Sequence, residues 1–230
     1  MSPRAVADLA DVLGSAVDGV FPEADGGWQR GRLWRRGVEA VVSFTGHAYL
    51  AVAEDLSDVE LEALGVDGFG GAHHPHVAER IRGSGWADTL DVLLLRTPTP
   101  SALARNPDVL DLVERDDLAA HPRVAAAQQV RSGIRVLGLP ARRSRSLVTI
   151  ADGVGGLPEL GIEAHGEQSG RQLLLSALQW CEDHLDREAP LVAAVAPGNA
   201  RSMRLFLRTG FVPVGSVQLF RPERHPWAPD

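Results

Sequence analysis

The segment Ala196–Gly215 reads APGNARSMRLFLRTGFVPVG and carries the signals of a short helix leading into a strand. Asn199 suits an N-cap, where its side-chain oxygen accepts one of the N–H groups that a first helical turn leaves unpaired. Met203, Phe206 and Leu207 make an apolar face. Arg201, Arg204 and Arg208 lie opposite, either as a solvated face or as contacts for a phosphorylated ligand. Gly210 supplies the left-handed residue that ends such a helix, and Phe211 packs back upon it. The pattern then predicts a terminal hairpin of Phe211–Val214 with Val217–Phe220 about Gly215-Ser216.

Outward from this segment the rhythm stays regular. PLVAAVAP, residues 190–197, reads as a buried strand. Before it comes a long helix over Ser169–Leu185, with Leu173, Leu174, Ala177, Leu178 and Cys181 on one stripe. Leu157–Ala164, Leu147–Ala151 and Ile134–Leu139 are predicted strands, the last two joined by a basic turn, PARRSRS. The crossover from Leu157–Ala164 to the buried strand is long enough for a parallel pair. Upstream, LDVLLLR (90–96) has the continuous apolar run of a central strand, and Asp108–Glu114 and His121–Val130 are predicted helices. The order from residue 90 is therefore β-α-α-β-β-β-α-β-α-β-β. Ahead of it lie a helix over Val6–Val17, strands over Val38–Phe44 and Tyr49–Ala53, and short helices over Leu56–Leu64 and Pro75–Arg82.

Composition narrows the function classes. The chain has 230 residues, enough for one generous domain or a domain with a large extension. A formal net charge of −7 argues against non-specific nucleic-acid binding. The sequence contains no run of about 18 apolar residues and no basic-then-apolar start, so no membrane association and a cytoplasmic location are expected. There is no lysine, which removes Schiff-base and P-loop-lysine chemistry. Cys181 is the single cysteine; it reads as inert core packing rather than a nucleophile, and C-x-x-C metal sites are excluded.

The element order, ending in GN-x-x-S…GF-x-P-x-G, resembles the GNAT superfamily of N-acetyltransferases over roughly Trp86 to Phe220. Asn199, Ser202, Gly210, Phe211, Pro213 and Gly215 fall at the family spacing. The resemblance implies an α/β (α+β) fold with a mixed central sheet and flanking helices. The family's fourth and fifth strands, matching Leu157–Ala164 and Leu191–Ala196, splay apart there and admit the cofactor arm. It implies residues 1–85 as an N-terminal α/β extension covering the acceptor site, residues 86–221 as the acetyl-CoA-binding domain and residues 222–230 as a tail. The expected cofactor is acetyl-CoA. Its pantetheine would pair with the splayed strand and its pyrophosphate would sit at the next helix N-terminus. Ile162, Ala164, His165, Gly166, Gln168, Ser169, Gly170, Arg171, Asn199, Ser202, Phe206 and Arg208 are the positions this carries over for cofactor binding. His165 stands where the family has Arg or Gln, and Gln168 stands at its middle glycine.

Acetyl transfer to an amine needs a proton acceptor, a donor for the developing oxyanion and a proton for the leaving thiolate. The family places a Glu on or near the fourth strand as base. Glu159 and Glu163 fit, and their equal parity puts both on one sheet face. The family's thiolate-protonating Tyr, seven positions after the Asn, is Phe206 here, leaving Ser202 or a water. The implied function is an N-acetyltransferase acting on a primary amine of a small molecule or peptide. The alternative is a catalytically weak CoA or acyl-CoA sensor. His73, His74 and His76, with His47, lack metal-site spacing and read as a loop lining the substrate entrance, so no metal is expected. Trp28, Trp34 and Trp86 read as core or as an aromatic substrate wall.

Overall fold

A computed structural model describes residues 6–97, 108–140, 144–166, 169–186 and 189–224. In chain order its elements are β1 Val6–Ala7, α1 Leu9–Val17, β2 Trp28–Gly31, β3 Glu39–Phe44, β4 His47–Ala51, α2 Asp58–Ala63, α3 Pro75–Arg82, β5 Trp86–Ala87 and β6 Asp91–Arg96. They continue with β7 Val113–Glu114, α4 Pro122–Val130, β8 Ser132–Gly138, β9 Leu147–Asp152, β10 Pro158–Glu163, α5 Gly170–His184, β11 Leu191–Val195, α6 Ala200–Arg208 and β12 Val212–Arg221. The fold class is mixed α/β. Among the described residues no helix is long and apolar enough to cross a membrane.

The chain divides into two compact units. The first comprises residues 1–93, 194–198 and 213–230. Its strands run in the order β1-β2-β4-β3-β12, with β5 also on β12. Trp28, Val41, Ala48, Leu50, Leu56 and Phe220 form part of a buried cluster with residues of α2 and α3, so Trp28 belongs to a core. Trp86, by contrast, is 40% exposed. Arg224 closes this unit. Its guanidinium donates to both oxygens of the buried Glu39 at 2.6 and 2.7 Å and to Asp55 at 2.6 and 2.9 Å.

The second unit comprises residues 94–193 and 199–212. Here β7, β8, β9 and β10 form an antiparallel meander, and β10 pairs in parallel with β11. The apolar stripe of α5 is buried as its periodicity requires: Leu173, Leu174, Ala177, Leu178 and Cys181 are all in the core. Burial pushes the Cys181 thiol up to about 12, despite the nearby Arg96.

Two expected elements are absent, and the helix expected over Val6–Val17 begins only at Leu9, because Asp8 caps it by accepting the Ala10 N–H at 3.0 Å and Val6–Ala7 pairs with β2. Asp108–Glu114 is not a helix; residues 109–112 are irregular and Val113–Glu114 pairs with β8. A seven-residue helix is marginal by itself. Tertiary contacts override it, since the Leu110 N–H is taken by the buried Ser176 hydroxyl at 2.8 Å. The terminal hairpin is also absent, because residues 212–221 form one continuous strand. A Cβ at Gly215 would collide with the Ser43 carbonyl, so this glycine admits close approach to β3 rather than a turn.

Candidate active site on the fourth strand of the second unit

Strand β10 is paired on both edges. With β9 it is in register over its whole length, Pro158 opposite Asp152 through Glu163 opposite Leu147. With β11 it pairs in parallel, Glu159 opposite Val192. The chain then passes through His165 and Gly166, whose φ is +64°, to α5. Ser169 caps that helix by accepting the Gln172 N–H at 3.5 Å. A Cβ on Gly170 would lie 3.3 Å from Leu205 and 4.0 Å from Ala164, so the start of α5 lies beside the middle of α6 and the end of β10.

Helix α6 forms as its capping signals dictate. Asn199 accepts the Ser202 N–H at 3.1 Å, and Gly210 adopts φ +90°. Phe206 is buried and meets Phe211 edge-on at 4.9 Å. Its ring fills core, where the resemblance leads one to expect a hydroxyl. Leu207 is 42% exposed, while Leu205 reaches Gly170. Arg201, Arg204 and Arg208 are exposed. Arg171 is held in an exposed ion pair with Asp108 at 3.1 Å. Ile162 and Ala164 are half-buried, and Gln168 lies outside the described residues.

The two carboxylates predicted to share a face do so, and α4 lies across that face in the opposite direction. Arg123, near its start, donates through Nε to Glu163 at 3.1 Å. Arg131, at its C-cap, pairs with Glu159. The lengths match: four residues of strand span about 13 Å and eight of helix about 12 Å. The outcomes for the carboxylates differ. Glu159 is buried, bound by Arg131 and the Val154 N–H, and so holds the turn before β10. Glu163 is about one-third exposed.

Around Glu163 the structure gathers three nitrogen groups, two of them from residues more than 35 positions away in the chain. His165 Nε2 lies 2.7 Å from Oε1, Arg123 Nε lies 3.1 Å from Oε2, and His121 Nε2 lies 3.8 Å from Oε1. Burial raises the Glu163 carboxyl, but hydrogen bonds from Arg123 and His165, with the charges of Arg123 and His121, outweigh it and hold the group below its ordinary value. The signal for His121 lay in the chain: His-Pro before an alanine-rich run is a helix start, and His121 is the N-cap of α4, accepting the Arg123 N–H through Nδ1 at 3.3 Å. Ser146 had no such signal. It is fully buried and bonds both backbone groups of His165, at 2.9 and 3.4 Å.

His121, Glu163 and His165 are, among the described residues, the one group of three metal-competent side chains that converge. The hydrogen bonding of His121 disfavours a metal. Because His121 Nδ1 accepts a backbone N–H, the neutral ring carries its hydrogen on Nε2, the atom a metal would need. Arg123 adds a positive charge beside it. Three of the other histidines are engaged elsewhere: His73 with Ser216 at 3.2 Å, His76 with the Leu64 carbonyl at 2.7 Å and His47 with Asp25 at 2.8 Å. No protein-family model matches the chain, and no curated protein matches it.

Proposed function

We propose that the chain transfers an acetyl group from acetyl-CoA to a primary amine of a small molecule or peptide, on a GNAT-like arrangement of β8–β11, α5 and α6. One observation carries this reading: β10 pairs in parallel with β11 at Glu159 opposite Val192 and leads into the start of α5, capped by Ser169. An amide-rich pantetheine arm would pair with the backbone of β10 as an added strand does. An exposed backbone N–H there serves the oxyanion of the tetrahedral intermediate. The pyrophosphate is received at the start of α5, where free N–H groups and the helix dipole favour an anion. Asn199 and Ser202 lie at the start of α6.

The test is isothermal titration with acetyl-CoA and with CoA, followed by thiol release across a panel of amines. Binding together with amine-dependent CoA release supports transfer. Absence of both heat and thermal shift removes every cofactor-based reading. A second reading, an acyl-CoA sensor, is favoured by Phe206, which leaves the expected tyrosine hydroxyl missing. Tight binding with no CoA release above background selects it.

A further inference from the structure

Helix α6 carries three positive charges that its own surroundings do not answer. Arg201, Arg204 and Arg208 are exposed, and among the described residues no ion pair or hydrogen bond engages their guanidinium groups. The first turn of the helix holds no acidic residue. The whole segment Ala196–Gly215 has none, in a chain whose formal net charge is −7.

This placement runs against local preference. Arg201 is the second residue of α6, at the end of the helix dipole that disfavours a cation. Arg204 follows it by three residues and Arg208 follows Arg204 by four, so the three charges are neighbours on one stripe and repel each other. Seven residues of helix extend that stripe over about 10 Å. A merely solvated face gains nothing from such an arrangement, whereas an anion seated on it relieves both costs. The stripe also borders the start of α5. Leu205 lies four residues after Arg201 and three before Arg208, so these two arginines flank it on the helix surface. Its side chain reaches the first residue of α5, where a Cβ on Gly170 would lie 3.3 Å away.

We infer that Arg201, Arg204 and Arg208 receive the 3′-phosphate of the CoA ribose, and so select CoA thioesters over 3′-dephospho-CoA and bare pantetheine thioesters. This rests on the acetyl-transfer reading, which seats the pyrophosphate at the start of α5. The pyrophosphate and the 3′-phosphate hang from one ribose. A ligand holding the first beside Gly170 therefore carries the second within a sugar ring's breadth, toward the arginines that flank Leu205. A phosphate monoester, largely dianionic at neutral pH, accepts several N–H donors at once, and the guanidinium fork matches it two bonds at a time.

The experiment is isothermal titration of the full chain with CoA and with 3′-dephospho-CoA, at low salt and at about 0.5 M salt. Wild type is expected to bind CoA on the order of 10-fold more tightly at low salt, a modest factor because the contacts are exposed. Salt should shrink the preference by screening it. In the triple variant Arg201→Gln, Arg204→Gln, Arg208→Gln, CoA affinity is expected to fall to the dephospho level while 3′-dephospho-CoA binds as before. General damage to the fold would lower both. Glutamine is close to arginine in helix propensity, and relief of the repulsion should leave the ligand-free thermal midpoint equal or slightly higher. Equal affinity of wild type for the two ligands overturns the inference and leaves acetyl transfer standing. So does a CoA preference that the triple variant retains, the result expected if the stripe serves an acidic protein segment instead. Wild type that binds neither ligand removes the cofactor reading, and this inference with it.

Discussion

Ser146 and His165 hold each other at two points: the His165 N–H donates to Ser146 Oγ at 2.9 Å, and that hydroxyl reaches the His165 carbonyl at 3.4 Å. One buried side chain thus satisfies both backbone groups of a residue just past the end of its strand. Ser146→Ala leaves those groups without a partner, at a cost of about 1–3 kcal/mol. Thermal denaturation should show the loss, and hydrogen exchange should show faster exchange at the His165 amide than at the amides of β9.

Asn199 makes a different kind of local bond, capping α6 through the Ser202 N–H at 3.1 Å. Asn199→Ala should cost about 1 kcal/mol of stability, and Asn199→Ser should recover most of it. Acetyl-CoA affinity measured on the two variants separates cap from ligand contact. If affinity in Asn199→Ala falls no further than the stability loss explains, Asn199 does not touch the cofactor.

The pH dependence of stability contains a Glu163 contribution of known sign. Its carboxyl is held below the ordinary value of 4.5 in the folded protein, so the folded state binds the proton less readily than the unfolded one. The contribution is complete above about pH 4.5 and fades as pH falls through the folded value. Glu163→Gln should therefore flatten the acid side of the stability curve, followed by urea denaturation from pH 7 down to pH 3, and leave the neutral side nearly level.

Cys181 should be silent toward thiol reagents in the native state. Burial raises its thiol to about 12, so both access and thiolate are lacking. Ellman's reagent should label no protein thiol until denaturant is added, which keeps the background low in a CoA-release assay. In the unfolded chain the thiol ionises near 9. Between there and about 12 the unfolded state loses its proton first, and stability falls with rising pH.

Arg224 answers the charge of Glu39 inside the first unit, with side chains 4% and 3% exposed. Arg224→Met leaves that carboxylate buried and unpaired, a loss of about 3–5 kcal/mol. Adding Glu39→Gln should recover much of it, because no uncompensated charge remains. Chemical denaturation of the single and double variants measures the coupling.

What the sequence determined by itself was local. The Asn199 cap, the Gly210 stop, the Phe211 return, the buried stripe of α5, the exact span Pro75–Arg82 of α3 and the common face of Glu159 and Glu163 follow from periodicity and capping, which act within a few residues. Tertiary structure decided the partners. Both carboxylates have the same parity, yet Arg131 consumes Glu159, while Arg123 and His165 meet a half-open Glu163. Those contacts span 28, 40 and 2 residues of chain, and only the docking of α4 across β10 brings the long ones together. The same reason explains the failures. Leu110 gave up its helix to the Ser176 hydroxyl, and Gly215 gave up its turn to the approach of β3. In each case a contact from a distant part of the chain outweighed a weak local preference.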